Sequence, residues 1–117
     1  MTPTSSFAIA LGVFLAMIYF FFLRGGSISG AVAQKLVEDG ARLVDVRSPG
    51  EYASGHIPGA INIPVQELSD RVGELAPTDK AVVLYCQSGM RSASAARFLK
   101  AAGYKNVHNL GAMRRWG

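Results

Sequence analysis

Cys86 is the only cysteine in this 117-residue chain, and Gln87, Ser88, Gly89, Met90 and Arg91 follow it directly. A thiol does chemistry as the thiolate, so the first question is what could ionise it near neutral pH. A short loop that turns backbone N–H groups inward, with a helix N-terminus behind it, stabilises an anion. Arg91 adds positive charge close by in sequence. Gly89 permits a tight backbone path, and the hydroxyls of Ser88 and Ser92 can add donors. A lone cysteine is most often a small buried hydrophobe. Its place beside a glycine-containing loop, an arginine and a helix start favours a nucleophile instead.

Such a loop needs a strand before it and a helix after it. Ala81 to Tyr85 is a β-rich apolar run that reads as a buried strand. Ser92 to Gly103 reads as a helix, with Ala95, Phe98, Leu99 and Ala102 on one face and Gly103 as its stop. Upstream, Ser29 can cap a helix that runs to about Asp39 and ends at Gly40. Arg42 to Val46 is the next strand, which puts Asp45 and Arg47 near its carboxyl end, where α/β sheets place their sites. Ser48-Pro49-Gly50-Glu51 is a capping box with proline at the first helical position, a structural task for Glu51. Gly55 to Gly59 is a turn, Ala60 to Ile63 a strand, and Leu68, Val72 and Leu75 line a helix. Asn106 to Asn109 is a final strand, with Trp116 expected to cover the core beside it. Alternating strands and helices imply an α/β domain with a mainly parallel sheet.

Several of these segments together resemble the rhodanese-like sulfurtransferases. They are Leu43-Val-Asp-Val-Arg47, Glu51-Tyr52, Gly55-His-Ile-Pro-Gly-Ala-Ile-Asn-Ile-Pro64, the Cys86–Arg91 loop and Asn109-Leu-Gly-Ala-Met-Arg-Arg-Trp-Gly117. They occur in the family's order and span residues 27–117. The resemblance implies a five-stranded sheet flanked by helices. It also implies sulfane-sulfur transfer from thiosulfate or a persulfide, through a Cys86 persulfide, to a thiol or to cyanide. On this reading residues 87–91 bind the anionic donor, Arg91 orients it, and Asp45, Arg47 and Ser92 support the loop. No cofactor is expected. One departure is Ala112, where the family often has a second glycine, so the last turn is where geometry is in question. A cysteine phosphatase loop carries five residues between cysteine and arginine; here there are four, a smaller ring that suits sulfur better than phosphate. A persulfide carrier for a membrane partner and a non-catalytic binding module are two further classes, although the cysteine argues against the second.

Phe7 to Leu23 contains no charge and is closed by Arg24. As a helix this run would span roughly 26 Å, near the lower limit for a bilayer. A cleaved signal peptide would want a basic start, which is missing. Residues 1–24 are therefore expected to be a single transmembrane anchor, joined through Gly25-Gly26-Ser27 to the domain at 27–117. With no Lys or Arg before Phe7, and Arg24 and Lys35 after the run, the domain is expected on the cytoplasmic side of a bacterial inner membrane.

The net charge is +4, yet no acidic residue follows Asp79, while six basic ones lie from Ala81 onward. That suits a small anion. No nucleic-acid-binding module or aromatic-basic stripe accompanies it, so nucleic acid is not expected as a partner. His56 and His108 are too isolated to suggest a metal site, and His56 reads as a local hydrogen-bonding residue of its turn.

Overall fold

A computed structural model of the chain describes residues 9–17 and 26–117. Within 26–117 the order is α1 (Gly30–Glu38), β1 (Arg42–Asp45), α2 (Pro49–Ser54), β2 (Ile61–Asn62), α3 (Leu68–Arg71, between 3-10 turns at Val65–Glu67 and Val72–Leu75), β3 (Val82–Cys86), α4 (Met90–Ala101) and β4 (Val107–Ala112), closed by a 3-10 turn at Met113–Trp116. The strands form one parallel sheet in the order β2-β1-β3-β4.

Every residue of β3 is buried, as expected of a central parallel strand covered on both faces. Alternation then sorts its side chains. Val82, Leu84 and Cys86 join Val44, Ile63, Leu68, Leu75, Ala95 and Leu99 in one core. Val83 and Tyr85 join Ala33, Leu43, Ile57 and Leu110 in the other. Fully burying one such side chain contributes about 1.5–3 kcal/mol. Half-buried Trp116 packs on the second core, as its place in the sequence suggested.

Local signals hold at the helix starts. Ser29 Oγ accepts from the Val32 N–H, and Ser48 and Glu51 form the full reciprocal capping box of α2. The helical face expected for α4 is rotated, however. Its buried stripe is Ser92, Ala95, Ala96 and Leu99, while Phe98 is 39% exposed and Ala102 lies outside. The observed stripe follows the i, i+3, i+4, i+7 pattern, and its small side chains let the helix lie close on the sheet beside Cys86.

The sheet has four strands among the described residues, not the five that the resemblance implied. The Ile28 N–H does bond the Asn109 carbonyl at 2.8 Å on the outer edge of β4. Ser29 then caps α1 at once, so the chain turns helical before a strand can form there. Of the apolar run at 7–23, residues 9–17 are helical with exposed side chains. No helix among the described residues is long and apolar enough to cross a membrane. The rest of that run, and with it much of the anchor expected at 1–24, lies outside the described residues.

Candidate active site

The carboxyl edge of the sheet brings the expected residues together. Asp45 pairs in register with Tyr85, and Cys86 with Ala112, so the ends of β1, β3 and β4 lie side by side. Between β3 and β4 the register slips by one residue at Leu84/Tyr85. Asn109 Oδ1 holds this irregularity by accepting from the Gly111 N–H at 2.9 Å, and Gly111 has φ +90°. The slip carries Gly111 and Ala112 against the Cys86 loop: a side chain on Gly89 would meet the Gly111 backbone at 3.5 Å. Ala112 itself has φ −71° and ψ 137°, ordinary extended backbone, so alanine is accommodated and the last turn still forms.

Cys86 ends β3, and its side chain is fully buried. The chain then bends through Gln87, Ser88 and Gly89 into α4. Gly89 has φ +101°, a left-handed conformation that favours glycine, and its N–H donates to Cys86 Sγ at 3.0 Å. Burial pushes the Cys86 thiol up. The Ser92 hydroxyl and the N–H groups of Ser92, Gly89 and Ser88 outweigh burial, so the thiol lies below its ordinary value. Ser92 Oγ also lies 3.1 Å from the Gly89 carbonyl, to which it donates. Gln87 and Ser88 are exposed, and Met90 is 79% exposed at the first position of α4.

Asp45 and Arg47 form a buried platform beneath the loop. Arg47 donates from Nε to Asp45 Oδ1 at 3.0 Å and from Nη2 to Oδ2 at 2.7 Å, and its backbone N–H adds a third bond to Oδ1 at 2.9 Å. The Asp45 carboxylate raises the Arg47 pKa. From this anchor Arg47 reaches the Gly55 carbonyl at 2.7 Å and Gln87 Oε1 at 3.3 Å, which ties the first residue after the cysteine to β1. Its guanidinium also sits 5.8 Å from the centre of the Tyr85 ring. The Tyr85 hydroxyl accepts from the Ile57 N–H at 3.1 Å, and burial raises its pKa.

Arg91 has a partner that the sequence did not announce. It donates from Nη1 to Glu51 Oε1 at 2.7 Å and from Nη2 to Oε2 at 3.0 Å. Glu51 comes from α2 and Arg91 from α4, so the pair joins two helices across the carboxyl edge of the sheet. Arg91 first, and then the Ser48 N–H, hold the Glu51 carboxyl down at about 2. The capping box identifies Glu51 in the sequence, but nothing local could reveal a partner forty positions away. His56 does what its turn suggested: Nδ1 lies 2.9 Å from the Tyr52 carbonyl, and the ring stacks on Tyr52.

The opposite, amino edge of the sheet carries a groove of about 400 Å³ between Leu36, Gly40, Lys80 and Asn106. Its lining includes no residue of the Cys86 loop. The chemistry available at the carboxyl edge is that of a thiolate held by inward N–H groups, and the same cradle can hold a persulfide or a leaving anion.

The profile of the rhodanese-like domain matches residues 29–117. A sulfurtransferase of Allochromatium vinosum is 41% identical over 83 residues, covering 70% of this chain and 77% of that protein. The thiosulfate sulfurtransferase GlpE of Pseudomonas syringae is 39% identical over 85 residues, covering 72% and 79%. The uncharacterized protein YqhL of Bacillus subtilis is 47% identical over 78 residues, 66% of this chain but 61% of that one. Among solved structures, the human single-domain sulfurtransferase TSTD1 has a TM-score of 0.69 at 34% identity, covering 77% of this chain and 93% of that one. The Bacillus anthracis protein CoADR-RHD has a TM-score of 0.70 at 40% identity; the match covers 80% of this chain and 16% of that much longer one.

Proposed function

The chain belongs to the rhodanese-like domain family, and from that premise we propose that it is a sulfurtransferase whose nucleophile is Cys86. The observation that carries this reading is the Gly89 N–H donating to Cys86 Sγ at 3.0 Å in a loop between β3 and α4. In the first step the Cys86 thiolate attacks the outer sulfur of the donor. With thiosulfate, the S–S bond breaks, sulfite leaves with the bonding pair, and Cys86 holds a persulfide anion. In the second step an acceptor thiolate, or cyanide in the assay, attacks that outer sulfur and the Cys86 thiolate returns. The N–H groups of residues 87–91 serve each anion in turn, and Gly89 gives the loop its path. Arg91 orients an anionic donor, Ser88 and Ser92 add hydroxyls, and Asp45 with Arg47 keeps the loop in place. No general base is required, because the attacking group is already ionised. Kinetics should be ping-pong. Cys86→Ser is expected to abolish thiosulfate:cyanide sulfur transfer with the fold retained. Near wild-type turnover in that variant would remove the reading, since the chain has no second cysteine.

A membrane anchor at residues 1–24, with the domain on the cytoplasmic side, is the second part of the proposal. Its support is the uncharged run from Phe7 to Leu23 and the basic residues that follow it. Ser27 packs near Gly111, which in turn lies against Gly89. A chain tethered upstream of Ser27 would therefore carry the catalytic loop close to the bilayer. A membrane-impermeant maleimide applied to intact and lysed spheroplasts tests the placement: labelling of Cys86 only after lysis supports it, and equal labelling before lysis overturns it.

A further inference from the structure

Two guanidinium groups serve the Cys86 loop, and each is matched by a carboxylate. Asp45 takes Arg47 through three side-chain bonds of 3.0, 3.1 and 2.7 Å. Glu51 takes Arg91 through two of 2.7 and 3.0 Å. The four charges sum to zero before the thiolate is counted. The Asp45–Arg47 pair is buried and built into the scaffold. The Glu51–Arg91 pair is about one-third exposed at the rim, where a donor arrives. Any anion that approaches Arg91 therefore meets the negative charge of Glu51 as well. Glu51 is not free to swing away, because Oε1 also accepts from the Ser48 N–H at 3.1 Å and from Ser48 Oγ at 3.0 Å.

We propose that Glu51 determines donor specificity at this site: it offsets the Arg91 charge against a dianion such as thiosulfate and favours a donor that reacts uncharged, a hydropersulfide R–S–SH. The proposal rests on the sulfurtransferase reading and narrows it. The chemistry balances. The Cys86 thiolate attacks the outer sulfur of R–S–SH, the S–S bond breaks, and R–S⁻ leaves with the bonding pair. The proton stays on the transferred sulfur and then passes to the departing thiolate, leaving a Cys86 persulfide anion and R–SH. No oxidant or reductant is consumed. The electrophile carries no charge for Glu51 to repel, and the anions formed on Cys86 are held by loop N–H groups that Glu51 does not touch. Met90, 79% exposed beside the loop, offers an apolar thioether to the carbon chain of such a donor. Glu51 is thus a positioning residue acting through Arg91, in addition to being a cap.

Glu51→Gln separates the two tasks, because glutamine at the same position still accepts from the cap N–H but carries no charge. The full chain is assayed with thiosulfate and with the hydropersulfide of 2-mercaptoethanol, whose carbon chain carries no charge, following sulfur loaded onto Cys86. A dianion feels the lost carboxylate twice as strongly as a monoanion. Thiosulfate kcat/KM is expected to rise about five- to tenfold at low salt, with a smaller gain at high salt. The hydropersulfide value should stay within about twofold by the same argument. An unchanged ratio between the donors, or a fall in thiosulfate use, overturns the role of Glu51 while wild-type sulfur loading leaves the enzyme reading intact. If the wild-type chain loads sulfur from neither donor, the sulfurtransferase reading itself fails and this proposal with it. A gain in one donor alone is not what a folding defect produces, and the Glu51→Ala variant, which also loses the cap, supplies that comparison.

Discussion

Ser92→Ala is the perturbation that most directly probes how the loop ionises its cysteine. Ser92 is fully buried at the third position of α4, with its hydroxyl in reach of both Cys86 Sγ and the Gly89 carbonyl. A hydroxyl has one hydrogen, which can turn toward sulfur when the thiol ionises. A hydrogen bond to a charged group contributes about 1.5–3 kcal/mol, and the neutral bond given up at Gly89 about 0.5–1.5. The difference, about 1–1.5 kcal/mol, corresponds to roughly one pKa unit. The sign is upward, since the thiolate loses a donor. The Gly89 carbonyl still accepts from the Ala93 N–H at 3.1 Å, so alanine leaves it satisfied. Alanine also suits a helix interior, so stability should change by less than about 1 kcal/mol. The assay is the pH dependence of iodoacetamide alkylation of the chain's single thiol. Below both midpoints the thiolate fraction falls about tenfold while its intrinsic nucleophilicity rises about threefold, so alkylation slows about threefold. A midpoint that stays put or moves to lower pH would refute the assignment of Ser92 as a thiolate donor.

Three further outcomes are expected. Arg91→Ala should raise the thiosulfate KM about ten- to a hundredfold through the lost charge-assisted contact, with a modest change in melting temperature; an unchanged KM beside a large drop in melting temperature would make Arg91 structural. Asp45→Asn leaves Arg47 buried without its counter-charge and should cost about 3–5 kcal/mol in urea denaturation, whereas a loss below about 1 would show that the buried pair contributes little. Glu51 is held at about 2 in the folded chain, well below its unfolded carboxyl value, so its contribution is present above the unfolded value and is lost as pH falls toward 2. Stability of the Glu51→Gln variant should therefore fall less steeply than wild type over that acid range, and parallel curves would contradict the pairing.

Local signals in the sequence translated faithfully. Ser29, the Ser48–Glu51 box, and the strand–loop–helix unit around Cys86 each depend on contacts a few residues apart; the caps form where the pattern puts them, and the strand and helix around Cys86 lie one and two residues from their expected bounds. The rotated face of α4 was less legible, because alanine and serine carry little periodic signal while Phe98 carries a strong one and lies at the surface. The β4 irregularity, held by the Asn109 side chain, and the Glu51–Arg91 pair depend on the third dimension. Arg91 reads in sequence as a cation offered to substrate; the fold gives it a carboxylate from the helix on the opposite face of the sheet.

The central claim is that Cys86 receives and releases one sulfur atom. Intact mass spectrometry of the full chain in detergent, after thiosulfate or glutathione hydropersulfide and again after cyanide, tests it in a single experiment. The account predicts a gain equal to one sulfur atom, localised to the peptide containing Cys86, complete reversal by cyanide, and no gain in Cys86→Ser. A chain whose mass is unchanged by both donors, or which gains sulfur equally without Cys86, would contradict it.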